Sequence, residues 1–164
     1  PEYKRSCHDA CLRIPLVVRG AEFIGGQTIT ELATNLDLPA TILRVAGLEV
    51  PEHYHSQALQ DVLTGAVARE AIYVQISESQ CGRAIRTPRW TYSVRAPGGH
   101  TRGFEPFSDS YHERHLYDNQ ADPHQRNNLI READFAEVRK ALKQQLLDCM
   151  VVAGEEPADI MAPE

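Results

Sequence analysis

The sequence predicts an α+β protein: a small four-stranded antiparallel sheet packed by a long C-terminal helix, with a strand and helices preceding it. Three patterns predict this. Residues 71–94 hold three short runs rich in β-branched and aromatic side chains, separated by turns. Residues 134–152 carry an apolar stripe at spacings of three and four. Residues 14–18, Ile-Pro-Leu-Val-Val, form a continuous apolar run of the kind found in a strand covered on both faces.

Taken in order, residues 5–12 (RSCHDACL) predict a short helix that ends before Pro15. Pro15 then sits near the start of the predicted strand, where its missing N–H is tolerated. Gly20 and Gly25-Gly26 mark turns. Asp37 is positioned to cap a helix with Pro39 in its first turn, Leu38, Ile42, Val45 and Ala46 on one face, and Gly47 as its stop. A shorter helix covers about 57–63, ended by Gly65. The strands follow at 71–76, 83–87 and 90–94, with a fourth at 114–118 after a Gly-, Pro- and Ser-rich loop, 96–111. In the last helix Phe135, Val138, Leu142, Leu146 and Cys149 form the stripe that would cover the sheet, and Gly154 closes it. The tail, 155–164, has four acidic residues and no basic one, and is either mobile or docked.

Composition excludes some functions. The chain has 164 residues, a net charge of -6 and 42% hydrophobic residues, which fits a folded domain and disfavours a nucleic-acid partner. No apolar run is long enough to span a bilayer. The opening Pro1-Glu2-Tyr3-Lys4 reads as the middle of a longer protein. Cys7, Cys11, Cys81 and Cys149 lack zinc-site spacing and read as free thiols, which favours a reducing, cytoplasmic setting. His53 and His55 flank Tyr54, and His112 and His115 flank Glu113 and Arg114, but spacing alone assembles no metal site.

Four segments, in order, are similar to the C-terminal half of the sulfatase family of the alkaline-phosphatase-like superfamily. The strongest is 115–129, HLYDNQADPHQRNNL, which resembles a strand, an Asp-Pro turn and an Asn-Leu close. Next comes RIPLVV at 13–18, with Lys4 eleven residues before Pro15. LDLPATILRVAG at 36–47 resembles the family's Asp-Leu helix, and 83–92 its Arg-Thr and Trp-Lys-Tyr strand pair. The chain departs from the pattern at Thr91, where Lys is usual, at His8-Asp9, where an aromatic–acid pair is usual, and at Ser56-Gln57-Ala58-Leu59.

The resemblance implies sulfate-ester cleavage by a formylglycine hydrate with a divalent cation, commonly calcium, held by Asp and Asn side chains. Neither Cys/Ser-x-Pro-x-Arg nor an Asp-Asp pair occurs in this chain, so the nucleophile and metal ligands are expected N-terminal to it, and no metal ligand is expected here. Lys4 matches the family lysine that reaches the sulfate, a role suited to a compact charge with three donors. His8 and Asp9 could line the pocket mouth or form a polar helix face. Arg83 and Arg86 point opposite ways in a strand, so only one could approach an anion, and ion pairs with Glu78 or Asp118 are the alternative. Arg83 is retained as a pocket candidate, and 96–111 is either a substrate-gating loop or a surface connection.

The implied organisation is a remnant of the larger α/β domain at 1–67, the sheet-and-helix subdomain at 68–153, and the acidic tail at 154–164. The expected partners are a sulfate-ester small molecule or glycan and the rest of the sulfatase chain. A homo-oligomer is possible because the strand at 14–18 would otherwise leave apolar surface exposed. A phosphonate or phosphodiester hydrolase of the same superfamily, or a non-catalytic binding module, are the alternative readings.

Overall fold

The computed structural model describes residues 5–98 and 105–163. These form two compact units: one runs to Ile14 and resumes at Tyr73, and the other is Pro15–Ile72. Lys4 and residues 99–104 of the expected gating loop lie outside the described residues.

The larger unit is built on a sheet of β1 (Ile72–Ile76), β2 (Gly82–Arg86), β3 (Trp90–Arg95), β4 (Ser110–Asp118) and β5 (Asp159–Met161), in that spatial order. β2 and β3 form an antiparallel hairpin, with Ile85 opposite Tyr92. Its turn is closed by chemistry visible in the sequence. Thr87 N–H donates to the Trp90 carbonyl at 2.8 Å, Trp90 N–H donates to Thr87 Oγ1 at 2.8 Å, and Pro88 supplies the bend. β4 pairs antiparallel with β3.

The sheet differs from the four-stranded antiparallel expectation by one strand. The acidic tail supplies β5, which pairs parallel to β4 from Ser110↔Asp159 to His112↔Met161. β4 also starts at Ser110 rather than at 114, because its first residues pair with β5 and with Arg95. Serine and aspartate at 108–110 look like turn residues, and the pairing that overrides them is tertiary.

Strands β2 and β3 are buried on both faces. Alternation places Arg83 and Ile85 on one face and Ala84 and Arg86 on the other. The first face is covered by α4 (Ala136–Val152), which buries Leu142, Leu146 and Met150 and is preceded by a short 3₁₀ turn. Each of these side chains contributes about 2 kcal/mol through removal from water. The helix ends at Gly154, whose φ of 82° lies in the left-handed region that glycine adopts without strain. The second face receives residues 5–12. Only Asp9–Leu12 of this segment is helical, as α1, a shorter helix than the sequence predicts.

The smaller unit contains α2 (Asp37–Val45) and α3 (Leu59–Thr64). Asp37 does not act as an N-cap side chain. It is the first helical residue, wholly buried, and its carboxylate accepts from Thr34 N–H at 2.8 Å, Gln57 N–H at 2.9 Å and both terminal nitrogens of Arg69 at 2.8 Å. Thr41 extends the same polar seam, donating to the Asp37 carbonyl at 2.7 Å and accepting from Leu59 N–H at 2.9 Å. The apolar side of α2 faces outward instead, with Ile42 67% and Val45 53% exposed.

The expected strand at 14–18 does not form. These residues pair with nothing in a sheet, and Val17 is 94% exposed. A parallel strand needs a neighbour on which to lay its hydrogen bonds, and the described residues offer none.

Candidate functional site

The face of the sheet that receives residues 5–12 gathers most of the chain's candidate chemistry. Asp9 opens α1 and forms a two-pronged pair with Arg86 of β2, at 2.8 Å from Nε to Oδ1 and 3.0 Å from Nη2 to Oδ2. Its backbone N–H donates to Gln125 Oε1 at 2.7 Å. Gln125, held at φ 52°, donates in turn to Thr91 Oγ1 at 3.0 Å and Asn119 Oδ1 at 2.7 Å. Thr91, standing where the family pattern has Lys, thus belongs to a buried amide–hydroxyl network under α1.

His8 lies beside this network. Its Nδ1 is 2.9 Å from Ser6 Oγ and its Nε2 is 3.1 Å from the Tyr117 hydroxyl. Its ring meets that of His115 edge-on at 5.0 Å, and His115 stacks on Tyr117 at 5.7 Å. Nδ1 of His115 is 3.0 Å from Ser93 Oγ and 3.7 Å from Cys7 Sγ. Sequence reasoning named His8 and Asp9 but missed Tyr117 and the place of His115 here. The alternation of β4 puts residues 115 and 117 on one face, and that was the available signal.

Electrostatics keep this cluster neutral. Burial lowers the His8 pKa, only partly offset by Asp9. Burial, then the charges of His8, Arg114 and Arg95, lowers that of His115 to about 3. Burial pushes the Cys7 thiol up to about 11, against which the Ser93 hydrogen bond is a smaller opposing effect. A thiol held protonated in this way is a poor nucleophile. The cluster can orient, donate and accept hydrogen bonds, but contains no activated attacking group.

Arg83 is separated from this face, as alternation requires. It is fully buried on the α4 side. Its Nε donates to both oxygens of Glu155 at 2.8 and 2.9 Å, and its terminal nitrogens donate to the Gly82 and Pro106 carbonyls. Tyr73 donates to the same Glu155 carboxylate. The ion pairs offered to these arginines from sequence were therefore misplaced: Arg83 takes Glu155 and Arg86 takes Asp9, while Glu78 pairs with Arg5 and Asp118 with Arg89. Among the described residues no group of three or more His, Cys, Asp or Glu side chains is disposed to hold a metal ion.

A mixed sheet backed by a long helix, with Asp9 of the segment on its other face clamped to Arg86 of β2, makes this unit an α+β subdomain. The chain belongs to the family described as N-sulphoglucosamine sulphohydrolase, C-terminal, whose model matches residues 3–151. It is 31% identical over 151 residues to an N-acetylglucosamine-6-O-sulfatase of Bacteroides thetaiotaomicron, covering 87% of this chain and 26% of that protein. It is 23% identical over 167 residues to an ulvan-active sulfatase of Formosa agariphila, covering 95% of this chain and 30% of that one. Among solved structures, a protein in complex with its substrate D-glucosamine-2-N,6-O-disulfate is similar at a TM-score of 0.60 and 26% identity, over 76% of this chain and 25% of that one. The phosphonate monoester hydrolase of Agrobacterium radiobacter shares the fold at a TM-score of 0.56 and 22% identity, over 74% of this chain and 25% of its own. This chain spans between 25% and 30% of the length of each of these proteins.

Proposed function

We propose that this chain works as the C-terminal part of a sulfatase that hydrolyses sulfate esters on saccharides, amino sugars first among them. The observation that carries the reading is the family match across residues 3–151, together with the sulfated-sugar specificity in the names of the proteins it resembles. The exposed apolar residues support it. Ile14, Val17, Ile24 and Ile42 are each more than 60% exposed, and burying such side chains against further protein contributes about 25 cal/mol for each Å² covered.

In this reading Lys4 reaches the sulfate. Five residues later, Arg86 and Gln125 fix the start of α1 at Asp9. The formylglycine and the divalent cation, calcium by the resemblance, belong to protein N-terminal to this chain. Among the described residues no donor set fits a metal.

The test is a comparison of ester classes with the full-length gene product. The reading expects sulfate release from glucosamine 6-sulfate to exceed turnover of phosphonate monoesters and phosphodiesters. The reverse preference would assign the scaffold to the phosphonate or phosphodiester hydrolases instead.

A further inference from the structure

Resting on the saccharide-sulfate reading, we propose that a cleft at the β4 edge is a second anion subsite, one that seats a non-reacting sulfate or carboxylate group of the sugar chain. The cleft has a volume of about 210 Å³ and is bordered by Arg95, His112, Arg114, His115, Asn128 and Arg131.

Its construction is specific. β3 and β4 pair Ser93 with His115 but Val94 with Glu113, so Arg114 is an extra residue in a bulge. A bulge bends its strand and re-aims the side chain it carries. Across the cleft, Asn128 fastens the 128–131 segment to β4. Its Oδ1 accepts from Leu116 N–H at 2.9 Å and Ile130 N–H at 3.2 Å, and its Nδ2 donates to the Arg114 carbonyl at 3.0 Å. The backbone at Arg114 is thereby tied to the turn that leads into Arg131, and both arginine side chains stay exposed. Neither guanidinium pairs with a carboxylate among the described residues.

The one acidic side chain of the lining is already committed. Glu113 accepts the Tyr92 hydroxyl at 3.0 Å and lies 3.8 Å from Arg139 Nε. The cleft is therefore cationic in a chain whose net charge is -6. Arginine suits the role because its planar donors match the oxygens of sulfate and carboxylate. Two exposed guanidiniums bordering one cleft are the chemistry an anionic sugar substituent needs.

Isothermal titration of this chain at low ionic strength tests the proposal, with glucosamine 6-sulfate, glucuronic acid, N-acetylglucosamine and inorganic sulfate as probes. The charged sugars are expected to bind and N-acetylglucosamine not to bind. Replacing both arginines (Arg114→Ala with Arg131→Ala) should weaken binding about tenfold, Arg131→Glu alone should weaken it too, and Arg126→Ala should leave it unchanged. Both altered side chains are exposed, and an unchanged melting curve verifies the fold. The proposal is overturned if the double variant binds as the parent does, if N-acetylglucosamine binds equally well, or if inorganic sulfate binds as tightly as the sulfated sugar. Turnover by the full-length protein is read separately. Binding without turnover overturns the sulfatase reading alone, and turnover without binding overturns the cleft alone.

Discussion

Removing the Asp37 carboxylate should unfold the smaller unit before anything else changes. The side chain is wholly buried and takes two bonds from Arg69 and one each from the backbones of Thr34 and Gln57, all between 2.8 and 2.9 Å. Asp37→Ala strands the Arg69 side chain, itself only 13% exposed, and orphans two backbone N–H groups. Breaking a buried ion pair from one side costs about 3–5 kcal/mol, and each unsatisfied buried donor about 1–3 kcal/mol. Water entering the space recovers part of this, so about 4 kcal/mol is expected, close to the whole stability of a small unit. Hydrogen exchange of the amides of Thr41 and Leu59, with urea unfolding followed by circular dichroism, reads the loss. Trp90 is the only tryptophan and reports the sheet separately. The shift has a defined pH sense. Burial pushes the Asp37 pKa up, but Arg69, Gln57 and Thr34 together hold it below the ordinary value. The contribution is complete above the unfolded value near pH 4 and is lost as pH falls through the lower folded value. A loss under about 1 kcal/mol in Asp37→Ala, or amide protection unchanged from 41 to 59, would refute the reasoning.

Three further outcomes follow from the same structure. Glu155→Gln should destabilise the sheet unit by about 3 kcal/mol, because Arg83 is left charged and buried, and a denaturation midpoint unchanged from the parent would contradict this. His115 should stay neutral on acidification, so its contribution to stability is complete above the unfolded value near 6.5 and is lost as pH falls toward about 3. NMR titration checks it, and a midpoint near 6.5 would contradict the burial argument. Finally, Ile42→Lys with Val45→Lys should reduce self-association of the isolated chain, since both exposed side chains add to its apolar surface. Sedimentation that shows the same monomer for parent and variant would refute it.

The sequence made the hairpin and the long helix legible because each carries its own local signal. Residues 83–94 combine β-formers with a Thr-Pro-Arg turn, and 135–149 repeat apolar residues at helical spacing. β5 was illegible because Ile160 is its only buried residue, in a segment that otherwise reads as an acidic tail. Helix α2 was placed correctly but its faces were inverted: the apolar stripe is exposed, and Asp37 and Thr41 are buried through partners 18 to 32 residues away. The run at 14–18 carries strand propensity without a neighbour to pair with. At the site, His8 and Asp9 were named only through the family resemblance, as the residues standing where an aromatic–acid pair is usual. The partner that fixes Asp9 could not be named, since Arg86 lies 77 residues along the chain and only the fold brings them together.

In the proposed function Lys4 binds the sulfate ester. Sulfate release from glucosamine 6-sulfate by the full-length protein, compared for parent and Lys4→Ala at saturating substrate, tests it most directly. A fall in kcat of about a hundredfold or more, with melting unchanged, is the predicted result. Turnover equal to the parent's would contradict the claim.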